Sequence, residues 1–300
     1  MRALRTLVGF ARPHTVIATT VQVVTILLIV AERRAFAPEA AALAAMTLAA
    51  CLALNLYVVG LNQLTDVPID LVNKPWLPVA AGELSPRDGR LLVAGAAVTA
   101  VTLAAISGPY LLLTVALIML IGTAYSLPPM RLKRWPVAAA LSIAAARGVI
   151  ANVGLGLHYG SRLGGDLPAA TLAVLGLFFF GFGLVIAIYK DLPDSAGDRL
   201  YRIETFTTRL GPQRALDLGR AVLTACYALP IGLALAGLPG RDALFLLVSH
   251  GLIVAAFWVA SARVDLARQR SVSSFYMFLW ALFYAEFAVL SIYALARGVA

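Results

Sequence analysis

The chain has little of what a soluble protein displays. Only 13% of its 300 residues are charged, against 61% hydrophobic, and the mean hydropathy is +0.88. So few polar side chains cannot cover a water-facing globule, which excludes a soluble core as the explanation of this composition. Cysteine is almost absent. Cys51 and Cys226 lie in apolar runs, at no spacing that suits a disulfide framework or a thiolate metal site, and read as small buried residues. There is no low-complexity segment and no separate soluble domain. Acidic residues are scarce as well, 15 against 24 Lys and Arg, giving a net charge of +9. Such an excess can signal nucleic acid, but its distribution along the chain argues for membrane topology, and no nucleic-acid partner is expected.

What is present is a succession of apolar runs. A short basic amphipathic piece, 1–12, precedes runs at about 15–31, 39–61, 90–106, 110–127, 136–157, 167–189, 214–236, 243–262 and 275–296. Each is near the ~20 residues that a bilayer core requires. The expected fold is all-α: a polytopic membrane protein of nine transmembrane helices. The first run is long for a signal peptide and has no small-residue cleavage site behind it, so it reads as an uncleaved span. With the N-terminus inside, seventeen Lys and Arg fall in inner segments and five in outer ones. The bias predicts a cytoplasmic N-terminus and a C-terminus on the opposite side of a plasma or other inner membrane.

The few acidic residues are not scattered. Five of the 15 stand in two stretches, at the ends of the second and sixth runs. In the first, Asn62, Asp66 and Asp70 are spaced i, i+4, i+8. In the second, Asp191, Asp194 and Asp198 are spaced i, i+3, i+7. Either spacing puts three oxygen ligands on one helical face. Left alone, such carboxylates repel one another and take up protons. They suit Mg²⁺, which takes one or two carboxylates and lets substrate phosphates complete its octahedron. Two acidic faces holding metal ions around a diphosphate are therefore expected. Pro68 and Pro193 fall inside the clusters and remove backbone donors, so each cluster is expected to be a helix end that bends. Gly60 and Gly197 either permit a close approach or simply end loops. The clusters end spans that run in the same direction, four helices apart. That pattern predicts a single domain over 1–300, in which spans 1–4 and 5–8 form two parallel repeats followed by a ninth helix.

Four stretches together resemble the UbiA superfamily of intramembrane prenyltransferases, and within it the homogentisate prenyltransferases of tocopherol and plastoquinone synthesis. They are Arg12-Pro-His-Thr15; Gly60-Leu-Asn-Gln-Leu64 through Asn73-Lys-Pro-Trp-Leu-Pro78 to Ser85; Gly122-Thr-Ala-Tyr-Ser-Leu-Pro-Pro-Met-Arg-Leu-Lys-Arg134 with Arg147, Gly148, Asn152 and His158; and Lys190-Asp-Leu-Pro-Asp-Ser-Ala-Gly-Asp198 with Phe206-Thr-Thr-Arg-Leu-Gly211. The resemblance covers about two-thirds of the chain. It implies a nine-helix bundle with a cavity open to lipid, and a cytoplasmic polar cap that binds Mg²⁺ and a prenyl diphosphate. It also implies an aromatic acceptor, homogentisate, whose prenylation is coupled to loss of CO₂. Another acceptor of the same superfamily, such as 4-hydroxybenzoate, a naphthoate or a phenol, is the alternative.

On that resemblance, Asn62, Asp66, Asp70, Asp191, Asp194 and Asp198 are the metal–diphosphate set, with Asp66, Asp70, Asp194 and Asp198 as the catalytic carboxylates. Asp191 either joins them or orients Lys190. Lys74, Lys133 and Lys190, with Arg131 and Arg209 behind them, are diphosphate contacts; positive-inside bias alone would also place them there. For the acceptor, Asn55, Tyr125, Arg147 and His14 are candidates. Asn55 either lines a pocket or bonds to another helix. Tyr125 is either a contact or part of an aromatic belt, and His14 a contact, a base or a structural residue. Arg147 lies near mid-membrane, where a charge needs a partner. It either holds an acceptor carboxylate or pairs with Glu286 at similar depth. A secondary transporter is a different class with intramembrane acids, but here the acids sit at span ends, and spans broken at matched positions are lacking.

Overall fold

Proline opens helix after helix. Its missing N–H is harmless in a first turn, and its fixed φ suits one. Pro13 opens α2 (Pro13–Ala31), Pro38 opens α3 (Pro38–Thr65), and Pro86 opens α5 (Pro86–Ser107). Pro109 opens α6 (Pro109–Ser126), Pro136 α7 (Pro136–Ala144) and Pro212 α12 (Pro212–Leu235). Short helices fill the ends: α1 (Arg2–Phe10), α4 (Val67–Asn73), α10 (Asp191–Leu200) and α11 (Phe206–Leu210). The remaining helices are α8 (Ala151–Leu163), α9 (Ala169–Tyr189), α13 (Arg241–Ala262) and α14 (Gln269–Arg297). This computed structural model describes residues 2–165, 167–201, 203–236 and 241–297; Arg202, one of the seventeen inner basic residues, lies outside them.

Nine helices among the described residues are long and apolar enough to cross a membrane, and no strand occurs among them. The expected all-α bundle is what forms. Several spans outrun their apolar runs: the second reaches from Pro38 to Thr65, and the fifth from Pro136 to Leu163. Hydropathy marks where a helix is in lipid, while capping decides where it ends. The fifth span is not one regular helix. Between α7 and α8 lies a wide π turn, Ala145–Ile150, whose following amide, Ala151 N, reaches back to Ala146 O.

The span that includes α9 is the most buried of the nine. Its Phe178, Phe179 and Phe182 interlock with aromatic rings of α12 and α14, and Phe179 stacks on Phe287 at 4.4 Å. Lipid tails are as apolar as these rings, so packing fit, not escape from water, favours this association. The three terminal long helices, α12, α13 and α14, share a buried polar cluster. Glu286 of α14 takes His250 Nε2 at 2.9 Å and the Tyr227 hydroxyl at 3.2 Å. Glu286 is thus spoken for, and it does not pair with Arg147. Depth along the membrane was equal for the two, but they face different neighbours.

Candidate active site

α3 stops at Thr65. Asp66 takes a non-helical conformation (φ −112°, ψ 13°), and Val67-Pro68 starts α4. The bend expected from Pro68 thus falls at Asp66, the middle member of the Asn62, Asp66 and Asp70 stripe. The amide ladder still runs through it, from Asp66 N to Asn62 O at 3.0 Å and from Asp70 N to Asp66 O at 2.8 Å. Continuity of the ladder keeps the three side chains together. Asn62 Nδ2 donates to Asp66 Oδ2 at 2.8 Å, Lys133 Nζ donates to Asp66 Oδ1 at 2.6 Å, and Arg131 stands 3.6 Å from that oxygen.

The second cluster begins where Lys190 separates α9 from α10. Lys190 Nζ donates to Asp191 Oδ1 at 2.6 Å. α10 lies against α4, and the clusters meet there. Lys74 bonds Asp194, while Asn73 accepts the Gly197 amide at 2.8 Å and donates to Asp198 Oδ1 at 3.4 Å. A Cβ at Gly197 would sit 2.4 Å from Asn73 Oδ1, so this junction needs glycine. Asn73 joins the two clusters. It stands in the Asn73-Lys-Pro motif, where the sequence alone assigns it no role.

Beneath the junction lies a cavity of about 1060 Å³. All six members of the expected metal–diphosphate set line it, with Lys74, Lys133, Lys190 and Arg131. Asn55, Tyr125, Arg147 and His14 line it too. The structure does not bring Arg209 there; its guanidinium bonds Glu204 on an exposed turn. Motif proximity suggested a place that chain direction denies. Arg12 was missed in turn. It lines the cavity, and its Nη2 donates to Asn62 Oδ1 at 3.3 Å. The signal was Arg-Pro at the head of the first span. Asn55 and Gln63 hold that corner in place by donating to Ala11 O and Phe10 O at 3.2 and 2.7 Å.

Two groups on the wall lack natural partners. The Arg147 guanidinium makes no ion pair among the described residues; its carbon stands 5.1 Å from the centroid of the Trp280 ring. The Trp280 indole N–H is buried with no acceptor among the described residues. His14 packs against the same ring at 5.0 Å.

The polar end fits a cation. Asp70 Oδ2 is buried without a hydrogen-bond partner among the described residues. Burial pushes the Asp70 carboxyl up to about 6, with the charges of Asp66 and Asp194 adding and those of Arg12 and Lys74 opposing. Burial, then Asp191 and Asp194, push Asp198 up to about 7. Lys133 is lowered by burial, against the pull of Asp66. No three His, Cys, Asp or Glu side chains among the described residues converge on one point. A closed protein cage is thus not formed, which is the open geometry that Mg²⁺ takes when phosphates supply the other ligands.

Residues 20–282 match the model of the UbiA prenyltransferase family. The chain belongs to that family. Among relatives of this UbiA chain, a homogentisate phytyltransferase of Synechocystis sp. is 42% identical, over 93% of this chain and 92% of the relative. A probable homogentisate phytyltransferase 1 of Oryza sativa subsp. japonica is 38% identical over 94% and 71%. A solved UbiA homolog from Archaeoglobus fulgidus, bound to DMAPP and Mg2+, superposes with a TM-score of 0.68. It is 18% identical over 97% of this chain and 99% of that one, a likeness of fold.

Proposed function

We infer that this UbiA-family chain moves a prenyl group from a prenyl diphosphate to the ring of homogentisate, with loss of the acceptor carboxylate as CO₂. The observation that carries it is the pairless Arg147 on the cavity wall, with the two acidic clusters at the polar end of the same cavity. An acidic aromatic acceptor supplies the anion that this guanidinium lacks, and kinship with homogentisate phytyltransferases names that acceptor.

The residues divide the work. Mg²⁺, when bound, supplies positive charge to the diphosphate as the prenyl C–O bond breaks. Asn62, Asp66, Asp70, Asp194 and Asp198 hold the cation. Lys74, Lys133, Lys190, Arg131 and Arg12 bind the diphosphate oxygens and stabilise the electron pair that leaves with them. Apolar walls at Val23, Cys51, Val115 and Leu155 exclude water, which would otherwise capture the allylic cation before the ring does.

We place the polar end as a cytoplasmic cap, with the N-terminus cytoplasmic and the C-terminus opposite, on the basic-residue bias. Position 85, in the connection after α4, tests it: Ser85→Cys, with Cys51 and Cys226 replaced, is labelled only by reagents that reach the cytoplasm. The chain works as one domain over 1–300, and spans 1–4 and 5–8 are its parallel repeats.

The direct assay is release of ¹⁴CO₂ from carboxyl-labelled homogentisate, dependent on added geranylgeranyl or phytyl diphosphate. Release with either donor supports the reading. Prenylation of another phenol, without release, overturns the acceptor and leaves the family intact.

Cation binding should depend on pH. Asp70 and Asp198 have folded values above the ordinary 3.8, so the cation-free protein holds their protons and loses stability as pH rises from about 4 through about 7. Ligation needs the ionised forms and releases those protons. Mg²⁺ is therefore expected to raise the unfolding temperature of purified protein more at pH 8 than at pH 6. Equal shifts would remove both carboxylates from the ligand set.

A further inference from the structure

The π turn at Ala145–Ile150 creates a problem that two side chains solve. In an α-helix the Arg147 carbonyl would accept the Ala151 amide, but here that amide bonds Ala146 O. The Arg147 carbonyl therefore does not take the Ala151 amide, and side-chain donors reach it instead. Gln22 Nε2, from α2, donates to it at 3.2 Å, and Asn152 Nδ2, from α8, approaches it at 3.4 Å. Asn152 Nδ2 also donates to Gly148 O at 2.6 Å, and Gln22 Nε2 donates to Asn152 Oδ1 at 2.9 Å. The two amides thus form one connected network around the turn. Asn152 is fully buried and does not line the cavity.

The opposite side of the turn is fixed by close packing. A Cβ on Gly148 would stand 2.4 Å from the Phe180 backbone nitrogen and 2.5 Å from the Phe179 carbonyl carbon. Pressed on α9 and tied to α2 and α8, the turn has one position. Its width also has a geometric effect. Ile143, Arg147, Ala151 and Leu155 all line the cavity, four residues apart. In a straight α-helix such a series drifts about 40° per step, and a wider turn takes drift out.

We propose that Asn152, linked through Gln22, is the positioning residue for Arg147: together the two amides hold the π turn that aims the guanidinium at the carboxylate of an aromatic acid acceptor. The proposal rests on the reading of Arg147 as the acceptor contact. Asn152 touches no substrate and acts only through the backbone of Arg147 and Gly148. Gln22 lines the cavity itself, so Asn152 gives the cleaner test.

The experiment uses the full chain in detergent or nanodiscs, with KM for homogentisate, KM for prenyl diphosphate and kcat measured separately. Asn152→Leu keeps the branched shape and removes the amide. It should raise KM for homogentisate tenfold or more, with KM for the diphosphate within twofold of the parent. Combined with Arg147→Met, it should add little to the loss that Arg147→Met causes alone, because both remove one interaction. A hydroquinone without the acetate arm should be prenylated equally well by parent and Asn152→Leu. If Asn152→Leu fails to fold, Asn152→Ser, which shortens the donor and breaks the link to Gln22, and Gln22→Met carry the same readouts. A joint rise of both KM values, a fall in kcat alone, or additivity with Arg147→Met reduces Asn152 to a structural residue and overturns the proposal. An unchanged homogentisate KM in Arg147→Met overturns the acceptor reading itself, and the positioning role with it.

Discussion

Asp194→Asn and Asp66→Asn are each expected to lower prenyl transfer about 10²–10³-fold at saturating Mg²⁺, a loss of about 3–4 kcal/mol in transition-state stabilisation. The substitutions keep size and remove charge. Asp194 bonds Lys74 across the gap between α10 and α4, and Asp66 bonds Lys133 and Asn62. Each carboxylate therefore has two expected tasks: to hold a cation, and to hold a lysine where the diphosphate arrives. Loss of both acts where charge builds on the leaving group, so kcat falls with kcat/KM. Single-turnover rates over a Mg²⁺ titration check this. Retention of most activity by either variant would mean that its carboxylate is not a ligand. Arg209→Gln is the matched control and should stay within about twofold, since it pairs with exposed Glu204 and neither residue lines the cavity.

Arg147→Met is expected to separate the two substrates. A hydrogen bond to a charged group contributes about 1.5–3 kcal/mol, which corresponds to a rise of about 10–10²-fold in KM for homogentisate. KM for the prenyl diphosphate should barely move, because its contacts lie at Lys74, Lys133, Lys190, Arg131 and Arg12. The variant should also fold, since the guanidinium leaves no carboxylate behind: Glu286 keeps His250 and Tyr227. Equal rises in both KM values would place Arg147 outside the acceptor site. Loss of folded protein, rescued by Glu286→Gln, would restore the ion pair that the structure excludes.

Spans and acidic clusters were legible in the sequence because each rests on a local signal. A run of apolar residues fixes a membrane helix, and i, i+4 or i, i+3 spacing fixes a face. The bend at Asp66 was legible for the same reason, from Pro68 two residues on. What stayed hidden depends on azimuth. Hydropathy put Arg147 and Glu286 at one depth but could not say which neighbours each faces, and the pairing between them is absent. The π turn has no signature in composition; only the contact of Gly148 with the α9 backbone shows why a glycine follows the arginine. Arg12 and Arg209 were exchanged because charge alone marks a side of the membrane, not a direction toward the cavity.

The buried cluster of Tyr227, His250 and Glu286 has a consequence for how the protein is made. Each of the three belongs to a different one of the last spans, and each is polar at a depth where lipid offers no partner. As the chain leaves the ribosome, α12 and α13 enter the bilayer with a hydroxyl and an imidazole still waiting for Glu286. α14 then carries a carboxyl that is costly in hydrocarbon and has two donors ready on the two preceding helices. Insertion of the final span and its docking are thus one event, and an early arrest of synthesis would leave two helices with unmet polar groups for membrane quality control to find.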